Sequence, residues 1–249
     1  MIKKDKELSV QSLQPFSFPE LAYEVKQPVR STVSVSILSK KLIAEFIGTY
    51  FLVFAGTGAV VIDTMTHSLT HVGVAATFGL VVMALIYTFG HVSGAHFNPA
   101  VTLAFFFLKR MKGKETVYFI VTQFCGACTS SLTLYMMFGN VGNLGATLPY
   151  GTWQQSAVLE FILTFVLMMV ILASAVHEKA LKSFAGIAIG ATVGLEAMFG
   201  GPISGASMNP ARSFSPALVS GHLEYIGIYL LSIFLGALTA AAVYRLLHE

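Results

Sequence analysis

Long apolar runs, separated by short polar stretches that carry the lysines, set the pattern of this chain. Six of these runs, 42–62, 71–89, 117–138, 156–176, 183–199 and 225–247, can cross about 30 Å of hydrocarbon, which takes roughly 17–25 helical residues. A lone strand would leave its backbone unsatisfied in lipid, so each run is predicted to be a helix. Two further apolar runs, 98–108 and 209–219, are shorter. About eleven residues at ~1.5 Å each reach only ~16 Å, half of the hydrocarbon thickness, so these are predicted half-helices.

Each short run opens on nearly the same phrase. The first is Ser93-Gly94-Ala95-His96-Phe97-Asn98-Pro99-Ala100-Val101, and the second, 111 positions later, is Ser204-Gly205-Ala206-Ser207-Met208-Asn209-Pro210-Ala211-Arg212. Asn is a favoured N-cap and Pro a favoured first helical residue, so both phrases predict helix starts. Matching interrupted segments in the two halves of a membrane protein point to a central transport site. A second repeat supports the halves: Ala44-Glu45-Phe46, followed by Thr49, matches Leu159-Glu160-Phe161, followed by Thr164. Three spans per half is an odd number, so the second half must insert upside down. The half-helices then enter from opposite sides, and their N-termini meet near the midplane. The predicted fold is an all-α membrane protein of six transmembrane helices and two half-helices in an inverted 3+3 repeat. Its channel domain covers 41–249, with halves at about 41–138 and 155–247.

Composition agrees with that pattern. The 249 residues are 55% hydrophobic and 11% charged, with a mean hydropathy of +0.74. Soluble domains carry about 25% charged residues, so most of this chain belongs in lipid. A net charge of +3 gives no argument for nucleic acid. What matters is where the basic residues fall. Those before the first span, Lys109 to Lys114, Lys179, Lys182 and Arg245 all lie on one side of a six-span topology, fourteen of the fifteen Lys and Arg in all. The positive-inside rule makes that side cytoplasmic and puts both termini there, in a multi-pass protein expected at the cell membrane. Residues 1–40 are polar, carry Pro15, Pro19 and Pro28, and lack the apolar core of a secretory signal. They are expected to form a cytoplasmic, partly disordered tail.

Arg212 is the one basic residue that breaks the rule. An arginine at membrane depth costs ~2.5–3.5 kcal/mol on insertion scales, so it should face a wet lumen with backbone carbonyls holding its guanidinium. Glu45 and Glu160 are buried carboxylates expected to accept hydrogen bonds from the non-helical backbone leading into each half-helix. Gly186, Gly190 and Gly194 form a small-residue stripe for close helix packing. Cys125 and Cys128 sit in an apolar span without the surroundings of a redox motif or a zinc site, and read as packed small residues. No metal or cofactor is expected. An intramembrane enzyme would need a nucleophile and base at the centre, and His96 has no convincing partner there. A secondary transporter would need an ionisable coupling group at the midplane, and the two phrases supply only Arg212.

With two Asn-Pro-Ala phrases, six spans and a duplicated Glu, residues 41–247 resemble the aquaporin (major intrinsic protein) family, and 201–208 resemble its nodulin-like branch. The resemblance implies a pore whose motif residues are Asn98, Pro99, Ala100, Asn209, Pro210 and Ala211. Each half-helix N-terminus carries roughly +0.5 of a charge. Two of them aimed at one point repel cations, the barrier recognised for aquaporin-type pores. The family pattern further implies a selectivity filter of Phe78, Ala197, Ala206 and Arg212. Water-selective members have His where this chain has Ala197, and glycerol facilitators have Asp where it has Ser213. The implied function is a passive channel for water and small neutral solutes (glycerol, with urea or metalloid acids as candidates), excluding protons and ions, and assembled as a homotetramer in the lipid bilayer. A mainly water-selective pore is the alternative.

Overall fold

The computed structural model describes residues 35–248. The expected tail therefore lies, up to residue 34, outside the described residues. Eight α-helices follow: α1 (Ile37–Thr66), α2 (Thr70–Ser93), α3 (Pro99–Phe107), α4 (Gly113–Phe138), α5 (Trp153–Ile171), α6 (Ala185–Ser204), α7 (Pro210–Ser220) and α8 (Ile226–His248). Among the described residues there is no strand. Six of these elements are long and apolar enough to cross a membrane, and α3 and α7 are the half-helices.

Two ends differ from expectation. Helix α1 starts at Ile37 and runs 30 residues, because Ser36 caps it by accepting a hydrogen bond from the Ser39 amide at 3.1 Å. Lys40 and Lys41 therefore stand in its first turns rather than ahead of the helix. Helix α6 continues to Ser204, although Gly200, Gly201 and Pro202 read as a break after residue 199. At the far end of α5 the chain closes with a π-turn, Leu172–Val176.

Packing follows the inverted repeat. Helix α1 packs on α2 and α4 as α5 packs on α6 and α8. The half-helices cross over: α3 lies against α8 of the other half, and α7 against α4. Close approach is decided by glycine. A Cβ on Gly126 would meet the Phe46 carbonyl oxygen, and one on Gly236 would meet that of Phe161, the residue after each duplicated Glu. Between the halves, α2 and α6 press together where a Cβ on Gly79 would meet the Gly190 oxygen at 2.7 Å, and the reverse. Gly186, Gly190 and Gly194 all face α2, as the stripe predicts. The cysteines conform only partly: Cys125 is exposed and Cys128 half-buried on α4, since α4 turns that face away from the bundle.

Candidate functional site

The two repeated phrases leave α2 and α6 through Gly94 and Gly205, both in the left-handed region at φ 91° and 85°. Ala95 and Phe97 follow at φ 52° and 48°, and Ala206 and Met208 at 41° and 53°. Four non-glycine residues in that region are strained, on the order of 1–3 kcal/mol each. Buried carboxylates hold them there. Glu45 accepts hydrogen bonds from Ser93 Oγ at 2.6 Å, from the His96 and Phe97 amides at 3.0 and 2.7 Å, and from Gln123 Nε2 at 2.8 Å. Glu160 accepts from Ser204 Oγ at 2.7 Å and from the Ser207 and Met208 amides at 2.8 and 2.9 Å. Both side chains are fully buried. Donors that a loop at this depth would leave unsatisfied are thereby met, and each half-helix start is aimed.

Asn98 and Asn209 cap α3 and α7 with their side-chain oxygens, accepting from the Ala100 amide at 2.9 Å and the Ala211 amide at 3.0 Å. Pro99 and Pro210 take the first helical positions. The amide nitrogens then reach across the interface. Asn98 Nδ2 donates to the Met208 carbonyl at 2.7 Å, and Asn209 Nδ2 to the Phe97 carbonyl at 2.8 Å. These crossed bonds hold the two helix ends face to face. They also use one of the two N–H donors on each amide, leaving one for a passing molecule.

Three cavities lie in series along the bundle. A central one of about 100 Å³ is lined by Asn98, Asn209, Ser207 and the apolar side chains of Leu52, Val82, Leu167 and Val193. The last four come in repeat-related pairs, a doubled hydrocarbon surface in the same lining as the amides of Asn98 and Asn209. A second cavity, about 500 Å³, holds Ala197, Gly145 and Ala146. Phe78 and Arg212 line both, and Arg212 Cζ lies 5.0 Å from the centre of the Phe78 ring. On the lysine-bearing end, His96, Phe105 and Ala175 are shared by the central cavity and a third that holds Lys41, Arg110 and Lys182. Ala206 lines the central cavity and Ala197 the outer one, so the four residues that family likeness groups together sit on the two sides of one bottleneck.

Arg212 is buried at 3% exposure, and its Nη1 donates to the Gly145 carbonyl at 2.6 Å. Gly145 ends a short turn, Val141–Gly145, whose last four residues have positive φ. The Nε of Arg212 has no protein partner among the described residues. Ser213, next along α7, joins a buried hydroxyl chain: Thr147 Oγ1 donates to it at 2.9 Å, it donates to Ser207 Oγ, and Ser207 Oγ donates to the Asn209 carbonyl at 2.9 Å. Gly145, Thr147, Ser207 and Gln123 escaped the reading of the sequence. Only the glycine spacing at 139, 142 and 145 hinted at the first. Glu196 is buried beside Ala197, and neither of its oxygens has a hydrogen-bond partner among the described residues.

The chain as a whole is similar to known proteins. The family model described as Major intrinsic protein matches residues 31–244. Nodulin-26 of Glycine max is 46% identical over 227 residues, covering 90% of this chain and 83% of its own length. Aquaporin NIP1-2 of Oryza sativa subsp. japonica is 44% identical over 216 residues, 83% of this chain and 71% of the relative. Among solved structures, the aquaglyceroporin from Plasmodium falciparum aligns with a TM-score of 0.73 at 24% identity, over 83% of this chain and 95% of that one.

Proposed function

Because the chain belongs to the major intrinsic protein family, we propose that it conducts glycerol-sized neutral solutes together with water while excluding protons and ions. Membership itself carries the coarser statement. The protein is a multi-pass membrane channel for water and small solutes, and not an enzyme.

One observation carries the finer reading: the bottleneck where the central and outer cavities join is lined by Arg212 and Phe78, which face both, and the outer cavity beside it carries a methyl group, Ala197. The guanidinium donates to hydroxyls, the ring and the doubled hydrocarbon wall accept a carbon backbone, and a methyl leaves room that an imidazole would fill. Phe78 lies over the guanidinium at 5.0 Å, and a ring narrowing the passage beside Arg212 favours the second reading, a pore mainly for water. In either case the opposed N-termini of α3 and α7 and the remaining amide donors of Asn98 and Asn209 favour oxygen-first passage of water. They disfavour cations at the crossing point. Lysines gathered at one end support cytoplasmic termini, and the family likeness supports a homotetramer with one pore per subunit.

The test is stopped-flow light scattering on proteoliposomes challenged with glycerol, urea, boric acid or an impermeant osmolyte, beside a pH-sensitive dye inside the vesicles. Rapid glycerol and water equilibration without proton leak is the expected result. Water flux alone selects the second reading, and accumulation against a gradient would replace a channel by a carrier.

A further inference from the structure

Pro202 lies inside α6, two residues before its end. A proline has no N–H, so within a helix the carbonyl four residues earlier loses its usual donor. Here that carbonyl belongs to Met198. A side chain from the other half of the molecule fills the gap: His71 Nε2, in the first turn of α2, lies 2.6 Å from the Met198 oxygen. A carbonyl only accepts, so the imidazole carries its proton on Nε2 and donates. The ring also lies close against α6, since a Cβ on Gly201 would come within 2.8 Å of its Cε1. Neighbouring Gly201 and Pro202 thus have complementary effects, one opening space for the ring and the other freeing the acceptor it binds.

The place of this bond gives it consequence. Met198 directly follows Ala197, and Phe78 stands two helical turns along α2 from His71. His71, Phe78, Ala197, Gly201 and Arg212 all line the outer cavity. The helix bearing Phe78 is therefore bonded to the helix bearing Ala197, two turns along α2 from the bottleneck and next to Ala197 on α6. We infer that His71 is a positioning residue for selectivity, clamping the proline-weakened end of α6 to α2 and so fixing the gap between Phe78 and Ala197. The inference rests on the bottleneck reading given above.

Four variants in proteoliposomes test it, with the ratio of glycerol to water permeability as readout. His71→Phe keeps the ring volume without the donor, and is expected to change that ratio by about threefold or more, since selectivity follows pore dimensions. His71→Gln, which retains an N–H, is expected to hold the ratio. Pro202→Ala returns a backbone donor to Met198, so adding His71→Phe to it should leave the ratio at the wild-type value. The double variant also serves if His71→Phe alone fails to assemble. Ala197→His is measured beside them. A shift with Ala197→His but none with His71→Phe overturns the clamp alone, as does an equal shift from His71→Phe with and without Pro202→Ala. No shift with Ala197→His overturns the bottleneck reading and the clamp with it.

Discussion

Arg212 and Phe78 meet at 5.0 Å, guanidinium carbon to ring centre, where the central and outer cavities join. A ring quadrupole attracts a cation placed over its face, and the Gly145 carbonyl holds the same guanidinium from another direction at 2.6 Å. The arginine is thus fixed by one aromatic face and one carbonyl, while its buried Nε has no protein partner among the described residues.

Ala197→His puts an imidazole opposite this pair. Glycerol permeability is expected to fall roughly tenfold, about 1.4 kcal/mol in barrier, with a smaller loss for water. Stopped-flow shrinkage and re-swelling in glycerol measures both. Equal losses would show that Ala197 does not face the sorted solute.

Asn209→Asp tests the barrier to cations. The side-chain oxygen can still cap α7, but a negative charge at the meeting of two positive helix ends offsets their potential, about half a charge each. The amide donor to Phe97 O is lost as well. Dye-loaded vesicles are expected to show a proton or alkali-cation leak that the wild type lacks.

Glu160→Gln should damage folding rather than selectivity. The carboxylate meets three donors, and an amide can turn only one oxygen toward them while its own NH2 confronts the rest. Each donor left buried and unmet costs ~1–3 kcal/mol. A clear fall in thermal stability in detergent is expected, with Glu45→Gln behaving alike because Glu45 plays the same role in the first half.

Glu196→Gln should act in the opposite sense. A buried carboxylate without hydrogen-bond partners is costly, and neither Glu196 oxygen has one among the described residues. Replacing the ionisable group at constant shape removes the cost of either burying its charge or neutralising it, and is expected to raise the melting temperature by a few degrees, about 1 kcal/mol of stability. A lower melting temperature would mean that Glu196 is held by water or by a neighbouring subunit.

Spans, half-helices, the inverted repeat and the carboxylate supports were legible because each is written locally. Apolar run length sets a span, Asn-Pro sets a helix start, and a Glu repeated at matching positions needs matching backbone donors. The end of α6 was misread for an equally local reason. Pro202 and two glycines argue for a break, and the donor that compensates, His71, lies 127 residues from the Met198 carbonyl it meets. Gly145 was missed because nothing about a glycine in an outer loop marks its carbonyl as an arginine ligand.

By itself, the amino-acid order determined that this protein is a six-span helical bundle with two half-helices meeting head to head, since hydrophobic length and caps act over a few residues. Only the tertiary structure decided which carbonyls Asn98, Asn209, Arg212 and His71 would bind, and that Phe78 and Arg212 would stand between the central and outer cavities. Those partners lie far from one another along the chain. A donor's need for an acceptor is visible in its chemistry, but which acceptor it reaches depends on how the helices pack.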